Sequence, residues 1–328
     1  MKTFSNVNAK DVKQAVLLSQ QARKDGHGVA FAGGGSDLLG MVKERIVTPD
    51  VLVHLRGMKG LDHIEKHGGG VEIGGQVTLD ALSRNPLIRS QYAVLAQAAE
   101  TVATPQIRNV GTLAGNVCQR PWCWYYRNGF PCFKAGGNTC YSIAGENQFH
   151  AIFGGGPSFI VHPSDTAPAL VALNATFKIT GPAGDRTVAA ADFFVLPKQN
   201  AAKENILRDD EVLASVHLPA PRPGTRSGYL KIMDREAWTH AVVSAAVVLE
   251  MDHDVCRSAR IVLGGVAPVP WHVPDTERLL AGQKITPELV ARVAEAAVAG
   301  ANPLAKNAYK VPLTKNTVKR IVTELTQA

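Results

Sequence analysis

The sequence predicts an α+β chain of two or three lobes with a separate C-terminal domain. Three observations carry this. At 328 residues the chain exceeds one ordinary domain. Segments with helical spacing of apolar residues and short β-rich runs follow one another along it, with no internal repeat. A proline-rich break at residues 219–223 then divides a longer N-terminal part from a shorter C-terminal one. The composition, 45% hydrophobic and 19% charged, provides for a buried core and excludes a largely disordered or fibrous chain.

Taken in order, Val12, Ala15, Val16 and Ala22 with charges between them predict an amphipathic helix over 9–22, which makes a helix the first element. A strand over 28–31 runs into Ala32-Gly33-Gly34-Gly35-Ser36-Asp37-Leu38-Leu39, a glycine turn that opens a second helix. A strand over 51–55 follows Thr48-Pro49, and glycines punctuate the strand Val71-Glu72-Ile73, after which Thr78 caps a helix. The 93–102 segment reads as helix and ends in a loop of small and polar residues, 103–116. Phe159-Ile160-Val161 reads as a strand and 165–173 as a short helix. Beyond the break, strands around Tyr229-Leu230-Lys231, 241–250 and 260–263 precede helices over 287–299 and 314–326.

The formal charge of +7 is spread along the chain rather than gathered into a tract, which argues against a nucleic-acid partner. Lys306, Lys310, Lys315, Lys319 and Arg320 form one cluster, expected to be an exposed helix face or a subunit contact. The first residues lack the apolar core of a secretory signal, and no apolar run reaches the ~18 residues of a membrane span. A cytoplasmic chain is expected, or a periplasmic one exported with a signal-bearing partner, and structural disulfides are not.

Two local features carry chemistry. Gly33-Gly34-Gly35-Ser36, between a strand and a helix, offers unobstructed N–H groups to a phosphate. The third glycine of a Rossmann fingerprint would fall at Leu38, and no Walker lysine is present. A second small-residue loop, Thr112 to Asn116, suggests that two loops clasp one extended ligand such as a dinucleotide. Immediately after it, four of the five cysteines stand as Cys118-x4-Cys123-x8-Cys132-x7-Cys140 among Trp122, Trp124, Tyr125, Tyr126, Phe130 and Phe133. Zinc sites favour Cys-x-x-Cys pairs, and none occurs; the looser spacing suits an iron–sulfur cluster, with zinc or unligated thiols as alternatives. Cys256 stands alone on an expected strand and is assigned to packing.

Ala32-Gly33-Gly34-Gly35-Ser36-Asp37-Leu38, Gly111-Thr112-Leu113-Ala114-Gly115-Asn116 and His162-Pro163-Ser164-Asp165-Thr166-Ala167-Pro168-Ala169-Leu170 resemble the three FAD-contacting segments of the medium subunit of molybdenum hydroxylases. That family includes xanthine dehydrogenase, carbon monoxide dehydrogenase and bacterial aldehyde oxidoreductases. The C-terminal part, around Leu263-Gly264-Gly265-Val266-Ala267, resembles the family's flavoprotein C-terminal domain. The cysteine stretch resembles the insertion that carries a [4Fe-4S] cluster in the flavin subunits of 4-hydroxybenzoyl-CoA reductase and of periplasmic-type aldehyde oxidoreductase; Gln119-Arg120-Pro121-Trp122-Cys123 is closest to the latter.

The resemblance implies a two-subdomain FAD-binding fold of the vanillyl-alcohol-oxidase type over 1–222, divided at about residue 57, with the iron–sulfur insertion at about 118–155 and an α+β C-terminal domain over 223–328. It implies that the FAD pyrophosphate lies on residues 33–36, flanked by Ala32, Asp37 and Leu38, with Thr112, Leu113, Ala114, Gly115 and Asn116 closing from the other side. Ala103 would adjoin the cofactor, Asp165 would hold ribose or adenine, and Leu213 and Lys231 would lie near the nucleotide or flavin ring. Cys123, Cys132 and Cys140 would be cluster ligands, with Cys118 or His150 as the fourth. The partners implied are a large molybdenum-cofactor subunit and a small [2Fe-2S] subunit, with electrons passing through FAD to a terminal acceptor. A stand-alone flavin oxidase, which needs acid–base groups that no motif here supplies, and a zinc-stabilised binding module are the rival readings.

Overall fold

The computed structural model describes residues 2–236 and 239–327 and contains three sheets. The first is built from β1 (Ser5–Asn8), α1 (Val12–Lys24), β2 (Val29–Ala32), α2 (Leu38–Lys43) and β3 (Val51–His54), with β3 central and both neighbours parallel to it. A strand, not a helix, therefore comes first; Ser5-Asn6-Val7-Asn8 is mostly exposed and polar and carries no apolar alternation to betray it. Helix α1 starts at Asp11, whose carboxylate accepts from the Gln14 N–H at 2.8 Å, and is released at Gly26, where φ is +82°. Its buried face, Ala15 and Val16, packs with Val53, Leu55, Met58 and Leu61.

The second sheet is antiparallel, in the order β4 (Ile64–His67), β5 (Gly70–Gly74), β8 (Val212–Leu218), β6 (Thr176–Gly181), β7 (Gly184–Ala189). Between β5 and β6 the chain forms α3 (Leu79–Arg84), α4 (Pro86–Gln91), α5 (Ala93–Glu100), α6 (Pro105–Arg108), α7 (Leu113–Val117), α8 (Trp124–Arg127) and α9 (Thr166–Ala172), and α10 (Ala190–Phe193) follows β7. The main core, with Ile73, Leu79, Leu82, Leu95, Leu113, Leu170, Phe177 and Phe193, fills the space between sheet and helices. The expected loop over 103–116 contains two short helices, each begun by a threonine whose hydroxyl accepts a third-residue N–H, Thr104 for α6 and Thr112 for α7. Phe159-Ile160-Val161 does not join a sheet: Phe159 O accepts from Ala151 N and the next residue, His162, donates to Ala267 O, so these bonds go to loops rather than to a neighbouring strand.

The third sheet follows the break. It is antiparallel, in the order β12 (Trp271–His272), β11 (Val255–Gly264), β10 (Val243–Asp252), β9 (Thr225–Ile232), with β13 (Gln283–Lys284) also on β11. Alternation along β10 sorts its side chains: Ala246 joins the main core, whereas Ala245, Val247 and Leu249 join a second core under α11 (Pro274–Leu280), α12 (Pro287–Ala296) and α13 (Lys310–Gln327). Cys256 is fully buried in this second core. The expected basic face at 306–320 is not uniform. Lys310 is 0% exposed, and its ammonium donates to the carbonyls of Phe149 at 2.8 Å and Gly265 at 2.7 Å; Lys306, Lys315 and Arg320 pair with Glu146, Glu295 and Glu324.

Candidate functional site

Beyond β2, whose last residue Ala32 is buried, the chain turns through residues 33–36, with Gly35 in the left-handed region at φ +74°. A Cβ on Gly34 would overlap the Val110 carbonyl oxygen, and one on Gly33 would lie 3.0 Å from Thr112 Oγ1 and 3.2 Å from Gln76 Nε2. The glycines thus let two loops meet backbone to backbone. Among the described residues, no protein acceptor meets the N–H groups of Gly33, Gly34, Gly35 and Ser36, and Gln76 Oε1 is buried without a donor. Open donors beside an orphaned buried amide form a cradle for a polar ligand, and a pyrophosphate fits it. A depression of about 350 Å³, lined by Asp62, Gln76, Thr78 and Asn85, opens beside it.

The turn at 112–116 forms a wall rather than a second set of donors. Leu113 N donates to Val77 O, Ala114 N to Gly75 O, and Gly115 N to Thr112 Oγ1. Asn116 locks this turn to the third motif: its Oδ1 accepts from Ser164 Oγ at 2.6 Å and Thr166 Oγ1 at 2.7 Å, all buried. Next in that motif, the Asp165 carboxylate accepts from Tyr229 OH at 2.8 Å and Lys231 Nζ at 2.7 Å. Both side chains of that ion pair are buried, and Lys231 also donates to Thr101 O. Burial and the Asp165 charge push the Tyr229 hydroxyl well up, so it stays protonated and donates. Ala103, two residues past Thr101, holds φ +44°, an unusual conformation for a residue with a Cβ. Leu213 is buried in the main core, and its carbonyl lies against Gly75.

Asp37 and Leu38 face the cysteine segment. Asp37 accepts from Arg127 at 2.8 Å and from Arg120 N at 3.2 Å. Arg120 continues to Glu204 at 3.0 Å, and Glu204 to Lys134 at 2.8 Å, with the last two side chains 3% and 1% exposed. Leu38 and Cys123 both pack against the small cluster of Met41, Tyr126 and Cys132. Cys123 begins α8 without capping it, just ahead of the N–H groups of Tyr125 and Tyr126, and His150 Nε2 lies 3.3 Å from its sulfur. Burial pushes the Cys123 thiol up, with Cys132 and Cys140 adding to the effect and those N–H groups opposing it. Cys140 has Ser142 Oγ at 3.1 Å and receives the Phe159 N–H at 3.5 Å, beside a cavity of about 510 Å³. Cys118 lies apart, packed against the main core, with burial pushing its thiol up to about 12. Burial, with the Lys310 charge, lowers His150 to about 4.

Among the described residues, no three His, Cys, Asp or Glu side chains gather as closely as a single metal ion requires. A multi-iron cluster holds its thiolates farther apart, and a sulfur that accepts a backbone N–H, as that of Cys140 does, fits a metal-bound thiolate. Gln76, Val110, Arg127 and Glu204 were not singled out in the sequence, and Arg120 only as part of Gln119-Arg120-Pro121-Trp122-Cys123. Gln76, a lone amide between Gly74-Gly75 and Val77, is the one that carried a legible signal.

Residues 2–221 match the FAD binding domain in molybdopterin dehydrogenase, and residues 228–325 the CO dehydrogenase flavoprotein C-terminal domain. The chain belongs to the FAD-binding subunits of the molybdenum hydroxylases. It is 33% identical to the aldehyde oxidoreductase FAD-binding subunit PaoB of Escherichia coli K12, over 99% of this chain and 98% of that one. With the carbon monoxide dehydrogenase medium chain of Hydrogenophaga pseudoflava it shares 29% identity, over 95% and 93%. The solved carbon monoxide dehydrogenase of that organism, lacking the Mo-pyranopterin moiety, superposes with TM-score 0.77 at 27% identity, covering 98% of this chain and 96% of that one. Within this family fold, the first two motif segments meet at the 33–36 turn, Asn116 ties the third segment to the second, and Asp37 fastens the cysteine segment to the first.

Proposed function

We propose that this chain is the electron-transfer subunit of a heteromeric molybdenum hydroxylase of the aldehyde oxidoreductase or xanthine dehydrogenase type. The observation that carries the reading is the cradle at residues 33–36, where open backbone donors and the orphaned Gln76 amide stand where a dinucleotide's phosphates would be received. Bound FAD supplies the redox chemistry, taking up electrons and passing them on. The chain's residues bind and orient it: Gly33 to Ser36 receive the pyrophosphate, and Thr112 to Asn116 wall the site. Ala103, Asp165, Leu213 and Lys231 border it, with Asp165 and Lys231 neutralising each other in the wall. The substrate would be oxidised at the molybdenum cofactor of a large partner, with a small [2Fe-2S] subunit between.

The reading includes a [4Fe-4S] cluster on Cys123, Cys132 and Cys140, with Cys118 and His150 as the candidates for a fourth position. The test is purification of the chain together with its co-expressed partners. One FAD and four irons are expected per copy, and reduction of both centres by substrate is expected only in the complex. Substrate-dependent bleaching of flavin by this chain alone would overturn the subunit reading, and zinc in place of iron would overturn the cluster.

A further inference from the structure

We propose that His150 donates its Nε2–H to the Cys123 sulfur and thereby tunes the reduction potential of the iron–sulfur cluster, an inference that rests on the cluster reading above. The distance from Nε2 to sulfur, 3.3 Å, is that of a hydrogen bond. It is short for two ligands of neighbouring irons, so His150 serves Cys123 rather than an iron of its own. A metal-bound thiolate carries no proton and only accepts, which places the hydrogen on Nε2.

The backbone that carries the ring is held in place. His150 is 7% exposed, so the ring is shielded from water, while Cys123 is partly exposed. The His150 N–H donates to Asn147 O, and its carbonyl, with that of Ala151, accepts from Asn307 Nδ2 at 3.0 and 3.2 Å. Asn307 is fully buried and precedes α13. The C-terminal part of the chain thus fixes a donor on the cysteine segment. An electron entering the cluster adds negative charge to its sulfurs, and a bond to a charged acceptor strengthens with that charge. A fixed donor therefore favours the reduced form and raises the potential.

The test uses the purified complex carrying wild-type chain, His150→Leu or His150→Gln, with iron and FAD assays and a redox titration followed by electron paramagnetic resonance. Both variants are expected to keep four irons and FAD. In His150→Leu the one-electron equilibrium should shift roughly tenfold toward the oxidised cluster, about 59 mV. In His150→Gln, whose amide N–H can replace the donor, the shift should be smaller. Iron loss from His150→Leu with FAD retained would overturn the proposal in favour of iron ligation, and an unmoved potential in both variants would also overturn it. Absence of a cluster from the wild-type complex would remove the parent reading, and that result is visible before any variant is compared.

Discussion

Gly34 is small because a carbonyl stands where its side chain would be. In the sequence the glycine run reads as a turn whose open N–H groups suit a phosphate, and that reading names no protein atom against Gly34. The obstruction is Val110 O, from a distant part of the chain that no local pattern connects to residue 34. Gly34→Ala should force the 33–36 and 110–116 loops apart, costing about 1–3 kcal/mol in urea unfolding and lowering FAD per chain; full FAD retention at unchanged stability would contradict this. His162 offers a pH test. Burial, aided by the Lys134 charge and opposed by the Val117 carbonyl, pulls its pKa down to about 3. Its folded value is depressed below the ~6.5 of the free chain, so the unfolded state binds the extra proton. The stabilisation is complete above pH 6.5 and is lost as pH falls from there toward 3. The urea midpoint should therefore drop between pH 7 and pH 5, and His162→Gln should flatten that drop.

At the scale of elements, legibility followed length and apolar period. The α1, α12 and α13 helices were readable from apolar residues at helical spacing, α5 from its composition, and the β9 to β11 strands as short β-rich or apolar runs. The helices α6 and α7 are too short for a period and were read as loop, although Thr104-Pro105 and Thr112 are residue types that start helices. The β6–β7 hairpin was missed although Phe177 and Ile179 alternate with Lys178 and Thr180. The cysteine segment has little regular structure, only α8 and a 3-10 turn at Phe133–Ala135, and is held by charges instead. Its keystone is Glu204, brought in from beyond β7, which no spacing rule could join to Lys134 and Arg120. Removing one partner of a buried pair leaves an uncompensated charge, so Glu204→Gln should cost about 3–5 kcal/mol. Denaturant unfolding and faster proteolytic cleavage within residues 128–146 would report it, whereas unchanged cleavage would mean the segment is held by other contacts.

For the whole molecule, three ordered motifs over the full length were enough to read the family, but not how the two ends of the chain are joined. The β9–β11 sheet is shared between two cores, and the main core's share is sealed by a charged clamp. Asp165, from the N-terminal part, meets Tyr229 and Lys231 of β9, and Lys231 returns to Thr101 at the end of α5. The sequence marked Asp165 and Lys231 separately as cofactor neighbours; their pairing depends on β9 packing against α5, which only the tertiary fold supplies. The pair also neutralises a buried wall of the proposed flavin site, so its loss should be felt in both folding and FAD retention. Asp165→Asn alone, leaving the Lys231 ammonium with carbonyl and amide partners, should cost about 3–5 kcal/mol in unfolding free energy. Adding Lys231→Met removes the stranded charge and should restore most of that loss, a coupling that a double-mutant cycle measures directly. Simple addition of the two single effects would mean that the clamp contributes through packing alone, and that the two parts of the chain are joined by their shared core rather than by charge.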